Sequence, residues 1–134
     1  MDNNYKPLLE ENSVAAYYDL EDNWFYISWY GEQTQQSRMR VFDEVLEYFN
    51  RANCTKILND NTHNTSLWSD CSLWLLNDWL PRAEASGLRS LAWVYSKDPE
   101  VRRSAEEMIS RLSGRSIVIA FDKLEDAKAW LNSV

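Results

Sequence analysis

Three glycines, three prolines, two cysteines and one histidine are all that the 134 residues contain of the types on which many catalytic and binding motifs are built. Gly31, Gly87 and Gly114 stand apart, so no glycine-rich phosphate loop can form, and no GxSxG nucleophile elbow is present. His63 is alone; a metal held there would find only carboxylate partners, and a lone histidine in a polar loop is usually solvated. Cys54 and Cys71 lack CxxC or metal-like spacing and read as small buried apolar residues, since a cytosolic thiol pair stays reduced. These absences call for no cofactor, no metal and no enzyme.

Long apolar runs are missing too. No stretch approaches the roughly 18 residues of a membrane span, and Met1, Asp2, Asn3 and Asn4 offer neither the basic nor the apolar part of a leader. The expectation is a cytoplasmic protein. Basic charge is also scarce: 14 Lys and Arg against 21 Asp and Glu leave a net charge of −7, a field that repels phosphate backbones and anionic lipid. Nucleic acid is therefore not an expected partner.

What is present is the material of a core. Hydrophobic residues make up 45% and charged residues 26%, an ordinary globular balance. A chain of this length buries about two-thirds of its unfolded surface without a staple. The reading is one domain, residues 1–134, with residues 1–13 as an N-terminal arm.

Patterning gives the order of elements. Residues 14–19 and 24–30 are rich in aromatic and β-branched side chains and flank the polar group Leu20-Glu21-Asp22-Asn23, which predicts a hairpin. From Thr34 the period changes to that of a helix, with Phe42, Val45, Leu46 and Phe49 on one stripe, ending near Asn53. A strand over 55–60 precedes a polar loop through Ser66, and Ser69 is placed to cap the next helix, with Asp70 in its first turn. That helix turns Leu73, Leu76, Leu80 and Ala83 to the sheet, bends near Asn77 to Leu80 because of Pro81, and stops at Gly87. Leu88 to Tyr95 is a strand, Asp98-Pro99 opens a helix that closes at Gly114, and Ser116 to Phe121 reads as a strand buried on both faces. Asp122 and Glu125 form a capping-box pattern for the last helix. The fold class is α/β: an N-terminal β-hairpin, three αβ units and a C-terminal helix (ββαβαβαβα) around a mostly parallel five-stranded sheet.

In open parallel sheets ligands bind beyond the carboxyl ends of the strands. That rule collects Asn59, Asp60, Asn61 and His63, then Trp68, Ser69 and Asp70, then Tyr95, Ser96 and Lys97, with Asp122. The candidate binding rim is Asn59, Asp60, Asn61, Trp68, Ser69, Asp70, Tyr95 and Ser96. Asn and Asp at strand ends also bond their own backbone in turns, which accounts for Asn59 to Asn61 without any ligand.

Seven Trp, seven Tyr and four Phe are many for so small a core. Trp68, Trp74 and Trp79 lie at different angles around one helix and cannot all face the sheet while Leu73, Leu76 and Leu80 do. Trp74 and Trp79 are the candidate interaction aromatics at the surface; the other arrangement packs the tryptophans beneath the preceding loop and the N-terminal arm.

The element order, with Lys56-Ile57-Leu58-Asn59-Asp60, the loop to Ser69, and Phe121-Asp122 through Ala127-Lys128-Ala129-Trp130-Leu131, resembles the STAS family of anti-sigma-factor antagonists, whose fold is related to that of the CRAL-TRIO lipid carriers. The resemblance runs from about Val14 to the end. Leu58-Asn59-Asp60-Asn61-Thr62, Asn77-Asp78-Trp79-Leu80-Pro81-Arg82 and Ala92-Trp93-Val94-Tyr95-Ser96 look like a bacterial group of this fold, which implies the fold and no activity. In the antagonists a serine at the start of the helix after the second parallel strand is phosphorylated to switch partner binding. By position that serine is Ser69, although Trp68-Ser69-Asp70-Cys71 replaces the family's Asp-Ser, small residue, Gly. The resulting expectation is a non-catalytic protein-interaction module that binds a protein partner or self-associates as a homodimer. The alternative is a carrier or sensor of a small apolar ligand or lipid.

Overall fold

A computed structural model describes residues 4–112 and 117–134. The expected helix stop at Gly114 and strand start at Ser116 lie outside the described residues. The elements run β1 (Tyr5–Glu10), β2 (Val14–Asp19), β3 (Trp24–Gly31), α1 (Gln35–Arg51), β4 (Lys56–Asn64), α2 (Ser72–Trp74), a π-helical turn (Leu75–Trp79), α3 (Leu80–Ala85), β5 (Ser90–Val94), α4 (Pro99–Ile109), β6 (Ile117–Phe121) and α5 (Leu124–Ser133).

The sheet has six strands, not five, in the order β1-β2-β3-β4-β5-β6. The extra strand comes from the expected N-terminal arm: Tyr5–Glu10 pairs antiparallel with β2. Pro7 is tolerated because β1 is an edge strand, where one side of the backbone needs no ladder bond. β2 and β3 are antiparallel, and β3 to β6 are parallel.

A sheet that winds in one direction, with right-handed crossovers, sends every connecting helix to the same face. Accordingly, Phe25, Ile27, Trp29, Ile57, Leu91 and Trp93 share one core with Val41, Phe42 and Phe49 of α1, with Trp79 and Ala83, and with Val101, Ala105 and Met108 of α4. Among the described residues the opposite face receives only α5, whose Ala127 and Leu131 pack on Trp24, Leu58, Ala92 and Val94.

Several local expectations are corrected. β4 runs on to Asn64, pairing Tyr30 with His63 and Gly31 with Asn64, so the polar stretch after Asp60 is strand before it is loop. Polar side chains suit a strand here because they bond to one another: Asn64 Nδ2 donates to Asn61 Oδ1 at 2.9 Å. The strand expected to be covered on both faces, Ile117–Phe121, is instead the sheet edge, with Ile119 39% exposed. The capping box at Asp122 does not form, since Lys123 is the N-cap residue and Asp122 pairs with Arg102 at 2.6 Å.

Around Pro81 the expected irregularity takes the form of a widened turn. Proline offers no N–H to the carbonyl four residues back and its ring would collide with that carbonyl. The chain answers with i→i+5 bonding, Leu80 N–H donating to the Leu75 carbonyl. The wider turn shifts which residues face inward. Leu75 and Trp79 enter the core, and Leu73, expected there, is 65% exposed.

Candidate functional site

The carboxyl ends of the parallel strands and the loop 65–71 meet at one end of the molecule. Asn59 lies beside Trp93 and Asp60 beside Val94 across the β4–β5 ladder. The loop is tied to the helices that start at this end. Arg38 in the first turn of α1 donates to the Leu67 carbonyl at 2.6 Å and to Asp70 Oδ1 at 2.5 Å, and Trp68 N–H donates to Ser104 Oγ of α4 at 3.0 Å. Ser96 Oγ donates to the Asn64 carbonyl at 2.6 Å, and Tyr95 N–H to the Phe121 carbonyl at 2.9 Å. The rim residues are thus gathered at one end, as the topology implies.

Most of them face inward. Trp29 Nε1 donates to Asn59 Oδ1 at 2.8 Å, and Tyr26 Oη to Asp60 Oδ2 at 2.5 Å. Asp60 Oδ1 accepts from the backbone and hydroxyl of Thr62. Asn59, Asp60, Asn61, Trp68 and Ser96 are buried, while Tyr95 is half-covered by Arg102, whose guanidinium carbon lies 4.3 Å from the ring centroid. A sheet wound one way has no point where its winding reverses, and such a reversal is what opens a crevice at strand ends. The rim is accordingly filled.

Filling it leaves a residue of unpaired donors. Nδ2 of Asn59 and Asn61, Nε1 of Trp68 and Trp93, and Nε of Arg38 are buried with no acceptor. Each such group costs about 1–3 kcal/mol. Trp68 is in the middle of this group, edge-on to Trp29 at 5.8 Å and to Trp93 at 5.0 Å, with Arg38 5.2 Å from its ring.

Ser69 and Asp70 are the exposed members. The expected cap at Ser69 is not made. Residues 68–71 form a turn, Cys71 N–H bonding to the Trp68 carbonyl at 3.0 Å, and the helix begins only at Ser72 with Cys71 at its cap position. Asp70 is drawn to Arg38 instead of to helix amides. Burial pushes the Cys71 thiol up to about 11, and Cys54 is also raised by burial, so neither offers a thiolate.

Of the two tryptophans expected at the surface, Trp79 is corrected by its burial. Trp79 is 1% exposed and its Nε1 donates to the Phe42 carbonyl at 2.8 Å. Trp74 is half-buried against Phe42, with Arg82 5.9 Å from its ring. The widened turn carries Trp79 inward, and leucines take the outward positions. Leu67 and Leu73, on either side of Ser69, are exposed apolar residues of this end. Sequence reading missed them and missed Arg38, because a leucine on a helical stripe and an arginine in a first turn carry no outward mark of their burial.

The apolar cleft lined by Leu75, Leu76, Trp79, Leu91, Trp93 and Met108 encloses about 30 Å³. That is space for about one water and far below a small-molecule site of roughly 300–1,000 Å³. A larger groove of about 530 Å³ lies at the amino ends of β4 and β5, among Thr55, Lys56, Arg89 and Ser90, away from the rim. Among the described residues no group of three or more His, Cys, Asp or Glu is placed to hold a metal ion, and no helix is long and apolar enough to cross a membrane.

This architecture is the STAS-like fold. Two solved structures share it. The anti-sigma factor antagonist SpoIIAA in its unphosphorylated form is 12% identical, with 97% of each chain covered and a TM-score of 0.59. Apo-SiaC from Pseudomonas aeruginosa is 18% identical, with 87% of this chain and 97% of that chain covered and a TM-score of 0.51. No family model and no curated protein matches the sequence.

Proposed function

We propose that this chain is a non-catalytic regulatory module, working in the cytoplasm, that binds a protein partner or a second copy of itself through the turn 67–71 and α2. The observation that carries the reading is the pair of leucines flanking Ser69: Leu73 is 65% exposed and Leu67 43%, on a segment otherwise pinned by Trp68 and Arg38. Apolar side chains held out on a fixed frame gain by burial against another surface and lose little entropy on binding. Against a catalytic role stands the use of the strand-end polar groups in internal bonds to Trp29, Tyr26, Thr62 and Asn64.

Ser69 is the switch in this reading, as the serine of a fold whose SpoIIAA representative is described in an unphosphorylated form. A phosphate on its exposed hydroxyl would compete with Asp70 for Arg38, since charge-assisted bonds to phosphate oxygens are strong. The unpaired donors beneath the turn favour such a rearrangement, because moving Trp68 forfeits no bond from its indole nitrogen.

A photo-crosslinking residue at Leu73 in cells is expected to give one dominant adduct that is lost in the Ser69→Asp background. The same residue placed at Leu20, in the distant hairpin turn, serves as control. An adduct pattern at Leu73 indistinguishable from that at Leu20 would remove the reading.

A further inference from the structure

Among the described residues, the face of β1 and β2 opposite α1 carries no helix, and on β3 α5 reaches only Trp24 and the edge of Tyr26. α5 packs mainly on β4, β5 and β6, with Trp24 at the near end of β3, and one-way winding sends the other helices to the far side. Alternation and register place Tyr5, Pro7 and Glu10 of β1, Ala15, Tyr17 and Asp19 of β2, and Tyr26, Ser28 and Tyr30 of β3 on this open side.

The tyrosines form a ladder. Tyr5 and Tyr17 have ring centroids 4.4 Å apart, Tyr17 and Tyr26 4.9 Å, and Tyr30 stacks on His63 of β4 at 6.2 Å. Tyr5 and Tyr30 are each 42% exposed, and the two rings between them are half-buried. The bond from Tyr26 to Asp60 fixes the ladder's inner end.

Charge on this face is of one sign. Glu10 and Asp19 stand among the tyrosines and Asp60 lies beneath Tyr26, whereas no Lys or Arg occupies these positions of β1–β3. Lys6 points to the other face, and Lys56 of β4 is held by the Leu131 carbonyl at 2.6 Å. Elsewhere the chain covers half-exposed rings with its own guanidinium groups, Arg102 over Tyr95 and Arg82 over Trp74. Among the described residues no arginine covers the Tyr5–Tyr17–Tyr26 ladder.

We infer that this face docks an extended, arginine-bearing segment of another protein, the guanidinium groups stacking on the tyrosines while Glu10 and Asp19 supply the opposite charge. A guanidinium is planar, weakly hydrated and attracted to ring faces, which an ammonium matches less well. Phosphate-bearing partners are repelled by these carboxylates, and a second copy of a chain of net charge −7 brings the wrong sign. The inference rests on the reading of the chain as a partner-binding module but uses a surface separate from the turn 67–71.

The test is a titration of the ¹⁵N-labelled protein with a six-residue capped peptide of alternating arginine and glycine, and with its lysine counterpart. Saturable amide shifts at Tyr5, Tyr17, Tyr26 and Tyr30 are expected, with the arginine peptide bound roughly threefold or more tighter. Tyr17→Ser should weaken it about tenfold; Tyr5→Ser and Glu10→Gln, at exposed positions that folding tolerates, should weaken it by smaller factors. Shifts scattered over all acidic surfaces with equal affinity for both peptides, or no saturable shift, would overturn the inference. Shifts confined to residues 67–74 would overturn it while leaving the proposed function standing.

Discussion

Trp79 and Tyr17 illustrate how differently two aromatic residues are used. Trp79 is buried in the core edge-on to Phe42, 4.9 Å between ring centroids, and gives its N–H to the Phe42 carbonyl. Trp79→Ala removes a large buried ring and the indole bond to that carbonyl, so a loss of about 3–5 kcal/mol is expected. A shift of the urea midpoint to lower concentration measures it; a change under 1 kcal/mol would contradict the packing described. Tyr17 lies in the open ladder, and its phenol is pushed up to about 12 by burial first, then by Asp19, Tyr5, Tyr30 and Asp60. Its ionised form is the charged one, so the stability contributed by the neutral phenol is complete below about pH 10 and is lost as pH rises through 12. Absorbance at 295 nm should show a late-titrating tyrosine that Tyr17→Phe removes, and a titration unchanged by that substitution would count against the ladder. The chain's chemistry at this scale was only partly legible. Asn59, Asp60, Asn61, Ser96 and Trp68 could be placed at the strand ends from the pattern alone, but that they face inward depends on partners 30 or more residues away, such as Trp29 and Tyr26.

At the scale of elements, local rules carried well where one short-range interaction decides. Thr34 caps α1 through Ser37 N–H, and Asp98 caps α4 by accepting from Glu100 and Val101. They failed where two elements compete. Asp122 was a plausible cap until Arg102, twenty residues earlier, claimed it. Tyr5–Glu10 falls in the expected N-terminal arm yet forms a strand, and its Pro7 and charges suit a protected edge. β6 is the opposite case: Ile-Val-Ile-Ala-Phe reads as the most deeply covered strand, yet it has no charge, no proline and, among the described residues, only one neighbouring strand. An unguarded apolar edge invites pairing with other chains. Ile119→Lys, at a residue already 39% exposed, is expected to change stability by less than about 0.5 kcal/mol and to raise the onset temperature of light scattering on heating. An earlier onset would show that this edge is not where copies meet.

For the whole molecule, periodicity conveyed the α/β class and the parallel crossovers, because each αβ step is written locally in its own residues. It did not convey strand order, which no single segment records. That order determined most of what was unexpected: three crossover helices on one face, an edge where a centre was expected, a rim without a crevice, and a tyrosine-lined surface left to solvent.

The same order bears on how the chain is made. Since every strand lies next to the one synthesised just before it, a nascent chain leaving the ribosome can add each strand to a growing template without waiting for distant segments. Loop closures stay short, and assembly can keep pace with translation. The final strand is the exception in its timing. Until Ile117–Phe121 docks and α5 follows, Leu58, Ala92 and Val94 have no cover on their outer side, and that interval is when the half-built domain most needs protection.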